Sequence, residues 1–473
     1  MSTTDSSIET DVAVIGAGPG GYVAAIRAAQ HGLDVTLVER DAYGGVCLNA
    51  GCIPSKAYIH AADLAHDATH ATELGLRGDL EVDMPTLQDW TSGVVSRMSR
   101  SVEKLCKANG VTLIEGTATF ASDTELAIDG ADAAPDTVSF EHAIVATGSR
   151  PIEIPNFPFA AETVWSSRDA LGAETVPDRL VVVGAGYIGM ELSTTFAKLG
   201  ADVTVVEMLD DVLPIYEDDV KRVVRSRAED LGIEFSFGEG ASDLREADGT
   251  GIEVVTETED GAESVYEADR VLVAVGRQPV TGTLDLEAIG LAPDENGFLE
   301  TDAQGRTAHD HVFAVGDVAG DPMLAHAASR EGIVAAETIA GEPATLEGQA
   351  VPNAVFTDPE IATVGLTEAE AADAGFDPLV GEMPFRASGR AMTADATDGF
   401  VRIVAADDDH AVLGGQIVGP DASELIAEVG LAVGTGATLE DVATTVHTHP
   451  TLAEAVMEAA ENAMDQAIHT LNR

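Results

Sequence analysis

A short apolar run, DVAVI at residues 11–15, breaks into Gly16-Ala17-Gly18-Pro19-Gly20-Gly21. An alanine-rich helical stretch follows to about His31, then a second strand over residues 34–38 that ends at Glu39. The unit recurs as an apolar run at residues 180–183, Gly184-Ala185-Gly186-Tyr187-Ile188-Gly189, a helix to about Leu199, and a strand over 202–206 ending at Glu207. The first glycine and the terminal glutamate are 23 positions apart in both copies. One G-x-G-x-x-G is a weak signal. Two copies, each after a strand, opening a helix and followed by an acidic residue at the same distance, specify two βαβ nucleotide-binding units of Rossmann-like type. In each, the first glycine (Gly16, Gly184) permits a tight turn and the second (Gly18, Gly186) lets backbone approach a pyrophosphate. The third (Gly21, Gly189) allows close helix–strand packing, and the helix N-terminus faces the phosphates. The alternative is a pair of glycine turns with no ligand.

Glu39 and Glu207 stand where a carboxylate accepts hydrogen bonds from an adenosine ribose. Glu207 would also repel a 2′-phosphate. Met208, Leu209, Asp210 and Asp211 supply no arginine to neutralise one, so the second site favours NAD over NADP. Two such sites imply two redox nucleotides that exchange electrons; a hydride donor and a flavin are the usual pair, although spacing alone does not name them. A third apolar run, VFAV at 312–315, ends in Gly316-Asp317. There the glycine admits a ligand to the backbone and the aspartate suits a chain of sugar-like hydroxyls, but the pattern is also ordinary turn chemistry.

Composition narrows the partners. The chain has 473 residues, about three times a ~150-residue domain, so two to four domains are expected. Hydrophobic residues make up 45%, enough for several cores, which argues against a disordered chain. Against 82 acidic residues stand 25 basic ones, 20 Arg and five Lys, for a net charge of −57. A surface this negative is repelled by phosphate backbones, which excludes nucleic acid. In molar salt the Debye length falls to roughly 3 Å and self-repulsion is screened, so the chain reads as halophilic. The N-terminal MSTTD carries neither a basic nor an apolar leader segment, and no uncharged apolar run approaches the ~20 residues that span a bilayer. A cytoplasmic chain with no membrane association is expected.

The chemistry gathers at two places. Cys47 and Cys52 lie five residues apart in GGVCLNAGCIPSK at 44–56, and the only other cysteine is Cys106. Zinc needs four ligands and a second cysteine pair is missing, so no metal site is expected. Two close thiols in a reducing compartment suggest a disulfide that cycles, with two unpaired core cysteines as the bland reading. Lys56 adds a nearby cation able to depress a thiol pKa or tune a flavin. Cys106 reads as a packing residue. Near the other end stands HTHPTLAE at 447–454. Thiol–disulfide exchange needs a base to make the thiolate, and Glu454 can orient His449, five residues before it. A metal pair of His447 and His449, or a structural histidine, are the alternatives.

The two fingerprints, CLNAGCIPSK and HTHPTLAE together resemble the pyridine nucleotide–disulfide oxidoreductase family, and within it the dihydrolipoamide dehydrogenases. The resemblance runs from Asp11 to about Glu454, and DPEIATVG at 358–365 looks like the opening of that family's C-terminal interface domain. It implies two Rossmann-like α/β domains and an α+β dimerisation domain: an FAD domain from 1–150 and 281–348, an NAD domain from 151–280, and an interface domain from 349–473. FAD would occupy the first fingerprint, with Glu39 on its ribose, Lys56 near the isoalloxazine, Asp317 on the ribityl chain, and Gly148 and Ala325 also in the cofactor site. NAD would occupy the second, with Glu191 pairing with Lys56 behind the flavin and Gly276 near the nicotinamide nucleotide. Cys47 would be the interchange thiol, Cys52 the thiol against the flavin, and His449 the acid/base, oriented by Glu454. In this family that histidine serves the partner subunit, so a homodimer is implied, as is a partner bearing lipoyl groups from a 2-oxoacid dehydrogenase or glycine-cleavage system. Val46 stands where Thr is common, Ala327 where Lys is usual and Ala453 where Ser is frequent. Other reductases of the superfamily are rivals, but the glutathione type usually prefers NADP, and the mercuric type ends in a Cys pair that LNR at 471–473 lacks. A purely structural flavoprotein would have no need of Cys47, Cys52, His449 and Glu454 together.

The charge generates a first prediction. Lowering KCl from molar to about 0.1 M, where the Debye length is ~10 Å, should dissociate the dimer and abolish activity, because like charges oppose both compaction and assembly. Activity, sedimentation and far-UV circular dichroism report it; a dimer fully active at that salt would contradict the halophilic reading.

Overall fold

Two sheets, parallel around their central strands, carry the two fingerprints. In the computed structural model, which describes residues 7–72, 74–75, 77–78, 80–130, 134–247 and 251–472, the first sheet is built around the strand Ser7–Ile15. It pairs in parallel with Val35–Glu39 on one side and Thr137–Val145 on the other, and Val312–Ala314 extends the sheet past the latter. Thr112–Ser122 lies parallel to Val35–Glu39, then turns antiparallel with Glu125–Gly130, which returns to the start of Thr137–Val145. Val12 and Val14 pack into one core and Ala13 and Ile15 into another. This is why the run is continuously apolar: both faces of a parallel strand are covered. The strand starts at Ser7, earlier than the apolar run, because the polar residues Ser7, Glu9 and Thr10 are recruited by pairing with Thr137–Val145. Residues 1–6 and Arg473, used above in reading the two ends, lie outside the described residues.

Helix Pro19–Gln30 crosses helix Ala325–Ile339 closely. A Cβ on Gly332 would collide with the Gly20 carbonyl, and Ala24, Ala25 and Ala28 are fully buried. The alanine content of the first helix is therefore a packing requirement as well as a helix propensity. The second sheet is all parallel. Arg179–Val183 is flanked by Asp202–Glu207 and Glu234–Phe237 on one side and by Arg270–Val273 and Val164–Trp165 on the other. An antiparallel meander, Glu239–Glu246, Ile252–Thr258 and Glu263–Ala268, is inserted between its strands Glu234–Phe237 and Arg270–Val273. The chain passes between the two units twice, and the crossings pair with each other, Ser149–Pro151 against Arg277–Pro279. The C-terminal unit is α+β, as expected: a five-stranded antiparallel sheet that shares one core with helices Ala422–Thr435 and Glu454–Ala463. Among the described residues no helix is long and apolar enough to cross a membrane.

Ion pairs centred on one buried lysine hold the three units together. Lys198, only 5% exposed, ends helix Tyr187–Lys198 and reaches Asp63 of helix Cys52–His70 at 2.6 Å and Asp358 of the C-terminal unit at 2.8 Å. Arg227 of helix Asp218–Asp230 meets the same Asp358 at 3.0 Å. Burial pushes the Asp358 carboxyl up, but the two cations outweigh it and hold it below the ordinary range. Replacing Lys198 with Ala leaves Asp63 unpaired and Asp358 half-paired. It should cost about 3 kcal/mol of unfolding free energy, measured by denaturant titration at fixed molar KCl. A loss under about 1 kcal/mol would mean that salt ions replace the lysine.

Candidate active site

The two fingerprints are superimposable in their roles. Gly16 has φ +99° and Gly184 φ +103°. A Cβ on Gly184 would lie 2.7 Å from the Ala274 carbonyl oxygen, and one on Gly16 would collide with that of Ala146. Gly21 and Gly189 leave no room for a Cβ against the carbonyls of Gly16 and Gly184, whereas Gly18 and Gly186 face open space. The glutamates do more than the sequence suggests. Glu39 accepts from the N–H groups of Ala17 (2.6 Å) and Asp41 (2.7 Å), and Glu207 from those of Ala185 (2.7 Å) and Leu209 (2.8 Å). Each carboxylate clamps its own glycine loop and keeps lone pairs for a sugar hydroxyl.

A cleft open to solvent starts at Glu39 and passes over Gly16 and Gly18, then Gly148, Asp317 and Ala325. It ends at Cys47, Cys52, Lys56 and Glu191. Gly21 lies beneath its floor, while Gly184, Gly186, Gly189 and Glu207 belong to the second unit. Gly276, with φ +125°, accepts from the Ile152 N–H beside the paired crossings. The cleft fits FAD: bare glycine backbone for a pyrophosphate, a carboxylate at one end for a ribose, an aspartate midway for a hydroxyl chain, and sulfur and a cation at the far end.

Three residues at this midpoint escaped sequence reasoning. The Ser149 hydroxyl donates to Asp317, and Arg277 donates to Ser149 Oγ (2.7 Å) and to its carbonyl (2.8 Å). Glu331 accepts from the Gly316 N–H at 2.6 Å, and burial pushes its carboxyl up. They are far apart in sequence and no local pattern marks them. Tyr187 of the second fingerprint also lines the cleft.

At the sulfur end, Gly51 separates the short helix Gly45–Ala50, carrying Cys47, from the 19-residue helix Cys52–His70, whose first residue is Cys52. The sulfurs lie 2.7 Å apart. Cys47 donates its S–H to Cys52 and is desolvated, and both effects push its thiol up. The same hydrogen bond brings Cys52 down to about 7 against its burial, with the Lys56 ammonium contributing. The positive end of a helix acts in the same direction. Lys56 Nζ pairs with Glu191 Oε2 at 2.9 Å and sits 4.2 Å over the Phe356 ring, and Glu191 Oε1 accepts from the Phe356 N–H at 2.9 Å. Phe356 was not anticipated either.

His449 and Glu454 lie on the C-terminal unit and do not line this cleft. His449 Nδ1 meets Glu454 Oε1 at 2.9 Å, and Glu454 Oε2 accepts from the Thr451 N–H at 2.8 Å. Burial raises the Glu454 carboxyl, but these contacts outweigh it and hold it below the usual range. The His449 side chain is 82% exposed, so Nε2 is free to meet another molecule. His447 turns elsewhere, with Nε2 on Glu428 (2.9 Å) and Nδ1 on the Thr445 carbonyl (2.8 Å), so the two histidines do not converge. Among the described residues no group of three or more His, Cys, Asp or Glu is arranged to hold a metal ion. Cys106 is fully buried, and burial pushes its thiol up to about 11, as suits a packing residue.

Comparison with known proteins bears on these features together. The pyridine nucleotide-disulphide oxidoreductase family profile matches residues 10–332, and the dimerisation domain of the same family matches 351–460. The dihydrolipoyl dehydrogenase of Haloferax volcanii is 66% identical, with all of both chains covered, and that of Halobacterium salinarum is 62% identical at the same coverage. The crystal structure of LpdA from Mycobacterium tuberculosis superimposes with a TM-score of 0.88 at 28% identity, over 95% of this chain and 99% of that one. With most of its length matched by one profile and its C-terminal unit by that profile's companion, this chain belongs to the pyridine nucleotide-disulphide oxidoreductase family.

Proposed function

We propose that this chain is a dihydrolipoyl dehydrogenase, oxidising a protein-bound dihydrolipoyl group and reducing NAD⁺ to NADH. The observation that carries the reading is a cysteine pair with sulfurs 2.7 Å apart in a cleft lined by the first glycine fingerprint, in a chain with full-length relatives of that name. FAD, when bound, supplies the centre that takes an electron pair from the sulfur side and gives hydride to NAD⁺.

The chain's own groups account for the sulfur chemistry. A dihydrolipoyl thiol loses its proton to His449 Nε2, and the resulting thiolate attacks a sulfur of the Cys47–Cys52 disulfide. The lower-pKa thiol is the better leaving group, so attack at Cys47 with departure of the Cys52 thiolate is favoured. The second substrate thiol then displaces Cys47, releasing the cyclic disulfide and leaving both protein sulfurs reduced. Glu454 fixes the His449 ring, and Glu191 holds Lys56 beside the departing sulfur. His449 lines none of its own chain's cleft, so we assign it to the cleft of a second copy. The dimerisation-domain match at 351–460 supports a homodimer.

The remaining assignments rest on position: Gly16, Gly18, Gly21, Glu39, Lys56, Gly148, Asp317 and Ala325 toward FAD, Glu191 behind the flavin through Lys56, and Gly184, Gly186, Gly189, Glu207 and Gly276 toward NAD. The division into 1–150 with 281–348, 151–280 and 349–473 is supported by the paired crossings at Ser149–Pro151 and Arg277–Pro279. A lipoyl-bearing protein as partner and a cytoplasmic location follow from the same reading.

The test is NADH formation with dihydrolipoamide, against glutathione or mercuric ion with NADH or NADPH. Turnover with dihydrolipoamide and NAD⁺ is expected, and Cys47→Ser should abolish it while FAD stays bound. Preference for glutathione or mercuric ion would overturn the assignment. A second expectation concerns Cys52, whose thiol the hydrogen bond from Cys47 and the Lys56 ammonium bring down to about 7. Removing the neighbouring cation in Lys56→Met disfavours the thiolate and should move that transition up by about one pH unit, followed by ultraviolet thiolate absorbance of the reduced protein. An unmoved transition would show that the helix terminus and Cys47 suffice.

A further inference from the structure

Helix Met84–Ala108 buries Val102 and Cys106 on one side and presents Arg97, Arg100, Lys104 and Lys107 to solvent on the other. Spacings of three, four and three residues put the four cations on one helix face. Residues 97–107 hold four cations and one carboxylate, in a chain whose totals are 25 and 82. That carboxylate, Glu103, pairs with Lys107. Among the described residues, Arg97, Arg100 and Lys104 have no acidic partner within the chain. The other three lysines behave differently: Lys56 pairs with Glu191, Lys198 with Asp63 and Asp358, and Lys221 with Asp218. Trp90, Met98 and Leu105, apolar and exposed, lie on the same helix.

The helix also braces the redox segment. On its inner side Ser99 donates to the Tyr43 carbonyl at 2.9 Å, the same oxygen that Asn49 of the Cys47 helix engages at 3.1 Å. The cationic face therefore stands about one helix diameter, roughly 10–12 Å, from the loop that leads to Cys47.

We propose that this face is the docking surface for the acidic carrier protein that bears the lipoyl group, an inference that rests on the dihydrolipoyl dehydrogenase reading above. In molar salt the Debye length is about 3 Å, so charge acts only in direct contact, and a patch must be clustered to matter. A carrier that stays soluble in the same salt exposes carboxylates of its own and meets like charge over most of this surface. On the Arg97–Lys104 face it meets opposite charge, and like-charge contact elsewhere disfavours misplaced docking. Trp90, two turns before Arg97, and Met98 and Leu105, which flank the cations on the same helix, add apolar contact that salt does not screen.

The test uses the full-length, FAD-loaded dimer and two substrates, free dihydrolipoamide and the reduced lipoylated domain of a 2-oxoacid dehydrogenase acyltransferase from a salt-adapted cell. The triple charge reversal Arg97→Glu, Arg100→Glu, Lys104→Glu should raise KM for the lipoylated domain about tenfold or more. Turnover of free dihydrolipoamide should stay within about twofold, with FAD content and sedimentation unchanged. The neutral triple change to Gln, which adds no charge, should raise KM for the domain by a smaller factor, about threefold. An unchanged KM for the domain in both variants overturns the docking face. Conversion of the variants to monomers overturns it in favour of contact with a second copy of this chain. Wild-type enzyme with no turnover of free dihydrolipoamide overturns the functional reading, and the docking proposal with it.

Discussion

The Glu191 carboxylate is buried at 5% exposure and must find charge and hydrogen-bond partners or destabilise the fold by several kcal/mol. It finds them in three parts of the chain. Its own helix opens from the second fingerprint, Lys56 comes from the helix that begins at Cys52, and the N–H of Phe356 comes from the C-terminal unit. All three units must be docked before the carboxylate is satisfied. Once they are, the Lys56 ammonium is fixed one helical turn from Cys52. The electrostatics of the sulfur pair therefore depend on the assembly of the whole subunit, and a substitution at Phe356 or Glu191 would reach Cys52 through the position of Lys56.

Glu39 and Glu207 illustrate a second dependence. Each accepts two backbone N–H bonds, one from its own glycine loop and one from the residue two positions on. The acidic residue at the end of the second strand is thus part of the loop's own structure, in addition to any contact with a ribose. Replacing Glu207 would loosen the phosphate loop as well as remove repulsion toward a 2′-phosphate, so a change in nucleotide preference there mixes two causes.

What was legible in the sequence was local. A β-branched run, a glycine turn and an alanine-rich helix each follow from the conformational limits of neighbouring residues, and the repeat of the whole unit made the parallel centre of both sheets readable. The cysteine spacing was legible for the same reason. Ser7, Glu9 and Thr10 carry no strand signal, because their pairing is dictated by Thr137–Val145, far along the chain. The cluster of Ser149, Arg277 and Asp317 forms only because the two crossings pair, and Phe356 reaches Lys56 only when the C-terminal unit docks. Spacing left the His447 and His449 alternatives open; their partners separate them, Glu428 for one and Glu454 for the other.

The charge distribution explains how so acidic a chain holds together. Several of its cations lie inside: Lys198 is 5% exposed, Arg277 11% and Arg402 13%, each engaged with carboxylates at a seam. Arg402 joins Glu382 of the C-terminal sheet to Asp219 of the second unit, and Lys198 joins all three units. Salt screens exposed charges far more than buried pairs. High ionic strength therefore removes the repulsion between surface carboxylates while leaving the seam contacts largely intact, and the same ions that relieve the surface do not dissolve the joints. In dilute buffer the balance reverses, because the repulsion returns at long range and the seams gain little. An acidic surface and cation-lined seams are in this sense complementary, and Arg97, Arg100 and Lys104 of helix Met84–Ala108 form a cluster that serves neither.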